Sequence, residues 1–173
     1  YANNQLFAEL AQEYKIPFIV FVSAYYTQTG AGFPWMDPNE KNYEQMYQFD
    51  YYSHHASRDY NPVIKEESPQ ARPMTCDELS ELASTGLMEV GCHGYYHQPL
   101  SQEFEKYVDE ERSRSMSVFE KDLGMDPRYY ALANGMYTGQ VVRDLLKTFD
   151  KVLTIDGTAF KAKDKVVHRL SLT

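Results

Sequence analysis

His93 and His97, four residues apart in the segment Glu89-Val-Gly-Cys-His-Gly-Tyr-Tyr-His-Gln-Pro, are the pair in this sequence best placed to do chemistry. In a helix, imidazoles at that spacing project the same way, and a Zn²⁺-type cation accepts both at about 2.0–2.1 Å. The bare pattern is common, since a histidine on an apolar face is also an ordinary core residue. Position singles this pair out. It directly follows the apolar run Leu87–Gly91, which reads as a short buried strand, and in parallel α/β folds chemistry collects in the loops at the carboxyl ends of strands. The absence of His-Glu-x-x-His removes the zincin type of metalloprotease. Cys92 beside His93 raises a redox or structural metal site as an alternative, but adjacent ligands on one chain are geometrically awkward.

The other candidates carry less. His168 falls in a strand and reads as structural, while His54 and His55 lie in a long loop and read as exposed loop residues. Fifteen tyrosines include loop pairs such as Tyr25-Tyr26 and Tyr95-Tyr96; tyrosine there suits a ligand with an apolar face and many hydroxyls, which describes a sugar. Trp35, the only tryptophan, is either a ring-stacking residue or a loop anchor. Asp37 before Pro38 and Asp156 before Gly157 read as turn residues. The acidic stretch Asp109–Glu111 reads as a solvated helix face.

Alternating helices and strands must position these residues. Leu6, Phe7, Leu10, Ala11 and Tyr14 recur at helical spacing over Asn3–Tyr14, and Pro17 closes that helix. Phe18–Val22 reads as a strand covered on both faces. Residues 24–72, punctuated by Gly30, Gly32, Pro34, Pro38, Pro62 and Pro69, read as a long loop insertion on the active face, too long for a passive connector and expected to carry function or short helices of its own. Thr75 and Glu78 form a capping box for a helix through Ala83, with Gly86 just past its end. Ser101 is expected to cap a long helix closed by Gly124. Tyr129–Ala133, Val152–Ile155 and Val166–Leu170 read as strands, and Thr138–Phe149 as a helix. Short connections between alternating elements imply a parallel sheet with right-handed crossovers, open or curled into a barrel.

A chain of 173 residues suits a single domain. Hydrophobic residues at 43% and charged residues at 24% exclude disorder and fibrous repeats. A net charge of −8 would repel a phosphate backbone, so nucleic acid is not an expected partner. No run approaches the roughly 18 apolar residues of a membrane helix. Two cysteines, Cys76 and Cys92, allow neither a disulfide framework nor a four-thiolate zinc site.

The stretch from Pro73 to Leu100, with its capping box, strand and Cys-His-Gly-Tyr-Tyr-His, resembles the second motif region of the polysaccharide deacetylases, the NodB-homology carbohydrate esterases. Lys15-Ile-Pro-Phe-Ile-Val-Phe-Val looks like that family's second strand and Gly32-Phe-Pro-Trp-Met-Asp like the loop after it. Tyr130-Ala-Leu-Ala-Asn-Gly-Met-Tyr-Thr resembles the third motif, and Val167-His-Arg-Leu the late strand ending in Arg. The likeness follows the family's order over nearly the whole chain. It implies an α/β fold, a distorted (β/α) barrel incomplete in this chain, and a hydrolase that removes N-acetyl groups from amino sugars in a polysaccharide or glycan precursor, such as a bacterial glycan. It implies a divalent metal, Zn²⁺ in most members, with His93 and His97 as two ligands, and the backbone N–H of Asn134 as an oxyanion donor. Trp35, Tyr95 and Tyr137 would contact the N-acetylated glycan.

The departures are specific. The family's third metal ligand and its general base are aspartates at the end of the first strand, one residue before the position where Tyr1 opens this chain without a Met. Both are therefore expected upstream of Tyr1, and a strand or more beyond Thr173. Gly94 stands where a Ser or Thr hydroxyl usually fixes the histidine loop, Ala133 where the third motif has Pro, and Tyr130 where many members have an Arg that orients the base. These three leave a second reading open, a catalytically inactive relative that binds glycan or a partner.

Overall fold

The computed structural model describes residues 4–31, 73–155 and 164–168. Five strands, β1 (Phe18–Val22), β2 (Met88–Cys92), β3 (Tyr129–Ala131), β4 (Lys151–Thr154) and β5 (Val166–His168), form one sheet in the order β1-β2-β3-β4-β5. Every pairing is parallel. Each strand is thus added on the same side of its predecessor, the winding of a (β/α) barrel, whereas a doubly wound sheet reverses direction at a switch point. The β1–β2 ladder runs in full register from Phe18↔Met88 to Val22↔Cys92. Between β2 and β3 only Cys92↔Tyr130 pair, so the sheet parts there. The carboxyl ends of all five strands lie on one rim.

Helices α1 (Asn4–Tyr14), α2 (Ala24–Thr29), α3 (Cys76–Ser84), α4 (Val108–Val118) and α5 (Gly139–Leu145) connect the strands. Val20, Val22, Met88, Val90, Cys92, Tyr130 and Val152 pack with Leu79, Val108, Phe119, Val141 and Leu145 in one core. The opposite face of β1 is less covered: Ile19 is 39% exposed, so β1 is not buried on both faces over the described residues.

Local chemistry sets several boundaries. The Thr75 hydroxyl accepts the Glu78 N–H at 3.2 Å and the Glu78 carboxylate accepts the Thr75 N–H at 2.9 Å, the reciprocal bonds of a capping box. Thr75→Ala removes one acceptor and frees the other, and is expected to destabilise the protein by about 1 kcal/mol in urea unfolding; an unchanged midpoint would show that α3 is held by packing alone.

One expectation is corrected. Ser101 caps no helix: its carbonyl accepts the Phe104 N–H in a turn, and the chain then enters through a 3₁₀ turn, Glu105–Tyr107, before α4. The far end passes through a π turn, Phe119–Leu123, to Gly124. Within the stretch 24–72, the first six residues form α2. Tyr and Thr are indifferent helix formers, and α2 is held by tertiary contact through buried Tyr26 and Thr27. Residues 32–72 lie outside the described residues, so the rest of that reading has no counterpart here. Among the described residues, no helix is long and apolar enough to cross a membrane.

Candidate metal centre

His93 is the first residue past β2. Its N–H donates to the Val22 carbonyl at 2.8 Å, extending the β1–β2 ladder by one step. The start of α2 then grips the loop: Ala24 N–H donates to the Gly94 carbonyl at 2.9 Å and Tyr25 N–H to the Tyr95 carbonyl at 3.0 Å. The Ser23 hydroxyl donates to the His93 carbonyl at 3.3 Å. Where the sheet parts, the His93 ring crosses the gap, its Nδ1 lying 2.6 Å from the Ala131 carbonyl oxygen. A carbonyl can only accept, so Nδ1 carries the proton and Nε2 keeps its lone pair, the tautomer of a metal-ligating histidine.

His97 meets His93 with ring centroids 4.6 Å apart and planes 87° apart. The approach is not helical. The segment between the histidines is a loop that turns through Gly94 at φ +82° and His97 at φ +63°. A left-handed conformation in a non-glycine residue costs on the order of 1 kcal/mol, a strain held by the surrounding bonds. Both rings are half-buried. Among the described residues no group of three or more His, Cys, Asp or Glu side chains could hold a metal; His93 and His97 are a pair of converging imidazoles. Cys92, next to His93 in sequence, sits in the core, and burial pushes its thiol up to about 12.

A residue with the sequence signature of a solvated helix face underlies this loop. Glu111 on α4 is 2% exposed, which overturns the solvated-face reading of Asp109–Glu111 for its last member. Its Oε2 accepts the N–H of Tyr95 at 2.8 Å and of Tyr96 at 3.1 Å, and its Oε1 lies 3.2 Å from the same Tyr96 N–H. Burial pushes its carboxyl up to about 7, opposed by main-chain N–H bonds from Tyr96, Tyr95 and Gln98. A signal existed in the spacing. Val108, Glu111, Ser115 and Val118 are the buried residues of α4, at helical intervals that put Glu111 on the inward stripe. Gly94 is the complement, since a Cβ there would stand 2.5 Å from Glu111 Oε2 and 3.0 Å from the Tyr130 hydroxyl.

The remaining predicted residues are spread over the same rim. Asn134 lies in the 3₁₀ turn Ala133–Gly135 past β3, at φ 52° and ψ 11°, a left-handed geometry that Asn tolerates. Tyr137 bridges to Leu100, just beyond the histidine loop, and packs against the core. Tyr95 turns toward α2 and α4, with the Tyr25 ring centroid at 5.6 Å, Tyr96 at 4.5 Å and the Arg114 guanidinium at 5.5 Å. His168 ends β5, in register with Thr154. Trp35, Asp37, His54, His55 and Asp156 lie outside the described residues.

A family model described as polysaccharide deacetylase matches residues 3–150. No curated protein matches the sequence. Among solved structures, IcaB from Ammonifex degensii superposes with a TM-score of 0.66 at 21% identity, over 96% of this chain and 60% of that one. A de-N-acetylase from Aggregatibacter actinomycetemcomitans superposes with a TM-score of 0.63 at 14% identity, over 96% and 64% of the two chains. At such identities the likeness is one of fold, and the chain spans 60% and 64% of the length of these two proteins. The singly wound parallel sheet and the matched 148-residue span together place the chain in the polysaccharide deacetylase family.

Proposed function

We propose that the protein is a metal-dependent hydrolase that removes N-acetyl groups from amino sugars in a polysaccharide or glycan precursor. The observation that carries this reading is the His93–His97 pair, two converging imidazoles with the His93 Nδ1 proton engaged by Ala131, on the rim where such folds do chemistry. A divalent cation held there, Zn²⁺ in this reading, supplies Lewis acidity toward an acetamide carbonyl and lowers the pKa of water.

The chain's own residues orient and bind. His93 presents Nε2 and is kept from rotating by its bond to Ala131. The main-chain N–H of Asn134, on the neighbouring strand's rim, is the proposed donor to the developing oxyanion, a role that survives any side chain at that position. Tyr95, Tyr137 and Trp35 are the proposed contacts for the sugar, whose ring faces suit aromatic surfaces. The solved relative named as a de-N-acetylase supports N-acetyl groups as the substrate class.

The full-length protein, incubated with an N-acetylglucosamine oligosaccharide, is expected to release acetate, to lose that activity in dipicolinate and to regain it on adding Zn²⁺. Release undiminished by the chelator would remove the metal from the reading, and oligosaccharide binding without acetate would favour a glycan-binding relative.

A further inference from the structure

We propose that Glu111 is the positioning residue of this metal centre, its buried carboxylate holding the loop between His93 and His97 in the shape that makes the two imidazoles converge. The assignment rests on the metal-centre reading above.

The loop is held from two sides. On one, the first turn of α2 takes the carbonyls of Gly94 and Tyr95. On the other, Glu111 takes the N–H groups of Tyr95 and Tyr96. Without the second set, two main-chain donors of a half-buried loop lose their acceptor, and one of the loop's two anchors is gone. The carboxylate is itself fixed, because it springs from the first turn of α4, where the Ser115 hydroxyl donates to the Glu111 carbonyl at 2.6 Å.

A carboxylate this buried, on the inward stripe it shares with Val108, Ser115 and Val118, is costly unless it is well solvated by donors. The donors found for it come from the histidine loop and from Gln98 directly after it, so burial and loop geometry are one arrangement. Gly94 completes it: with no Cβ, the loop comes within reach of Oε2, where a side chain would collide. In the family that this chain resembles, a hydroxyl between the histidines fixes the loop. Here the device has moved from the loop to the helix beneath it.

The test compares full-length wild type, Glu111→Ala and Glu111→Gln, with Zn²⁺ alone as the probe. Zn²⁺ affinity is read by competition with a chromophoric chelator, the ring ¹H–¹⁵N correlations of His93 and His97 in the metal-free protein, and the fold by urea unfolding. Loss of a supporting residue of this kind typically weakens metal binding roughly 10–100-fold, and that loss is expected for Glu111→Ala, together with a His93 ring averaging between tautomers. Glu111→Gln keeps one oxygen for the Tyr95 N–H but turns an amide NH₂ toward a remaining donor, so a loss of roughly 3–10-fold is expected. A lowered urea midpoint with wild-type affinity and ring spectra overturns the proposal. If Glu111→Ala does not fold, an affinity of Glu111→Gln equal to wild type overturns it as well. If wild type itself takes up no Zn²⁺, the function proposed above falls. The ring spectra then decide the positioning role: scrambled tautomers in the folded variant uphold it and unchanged spectra reject it.

Discussion

Replacing His93 with alanine in the full-length protein is expected to lower its Zn²⁺ affinity about a hundredfold or more and to abolish acetate release. Structural zinc sites with four ligands bind with roughly 10–16 kcal/mol at neutral pH, which gives about 3 kcal/mol per ligand, or two decades of affinity. His93 is the better ligand of the two to test, because its tautomer is fixed by the 2.6 Å contact with the Ala131 carbonyl. The effect on folding should be smaller. The ring is half-buried, and its removal leaves the Ala131 carbonyl without this donor, a loss of about 1–3 kcal/mol. The two effects separate when Zn²⁺ content by equilibrium dialysis is set beside urea unfolding of the metal-free protein. Unchanged Zn²⁺ content in a folded His93→Ala variant would mean that the metal, if any, is held elsewhere, and the centre described here would be wrong.

Where a few neighbouring residues decide the geometry, the sequence was a sufficient guide. The run Phe18–Val22 is β1 residue for residue, because Pro17 and Ser23 bracket a short apolar segment. The Thr75–Glu78 pair forms both of its expected bonds, and Gly86 and Gly124 stand where helices end. The strand before the histidines runs Met88–Cys92, one residue later than its apolar pattern suggests, which makes His93 the first residue off the sheet. What could not be read was decided between distant segments. The histidine spacing invites a helix, but the loop is set by donors at Ser23, Ala24 and Tyr25, some 70 residues away, that bind its carbonyls, and by Glu111, which accepts its N–H groups. Glu111 itself was hidden by its neighbours: Asp109 and Glu110 have side chains 76% and 45% exposed, and a run of three acids conceals that the third lies on the buried stripe of α4. Family resemblance identified the hydroxyl missing at Gly94, but only the folded chain shows what occupies its place.

Gly94→Ser, the substitution that restores the family's hydroxyl, is therefore expected to damage this protein. The backbone at Gly94 has φ +82°, and a Cβ would lie 2.5 Å from Glu111 Oε2 and 3.0 Å from the Tyr130 hydroxyl. The left-handed conformation alone costs a non-glycine residue about 1–2 kcal/mol. The collision adds more, since Glu111 cannot retreat without giving up the Tyr95 and Tyr96 N–H groups, and hydrogen bonds to a charged acceptor are worth about 1.5–3 kcal/mol. A total loss of about 3–4 kcal/mol in urea unfolding follows from those two terms, with Zn²⁺ affinity falling by one to two decades, about the loss typical when a ligand's supporting shell is disturbed. Stability at or above wild type would show that the loop has room for the hydroxyl and that Glu111 is not what excludes it. The sharper comparison is with Gly94→Ser in a Glu111→Ala background. There the collision with the carboxylate is gone, and the backbone penalty remains together with the 3.0 Å approach to the Tyr130 hydroxyl, so the serine should cost about 2 kcal/mol. The difference between the two backgrounds, about 1–2 kcal/mol of coupling, is of the size found for residues in direct contact. Equal costs in both backgrounds would mean that carboxylate and hydroxyl do not compete for one place, and the account of Gly94 as the partner of Glu111 would fail.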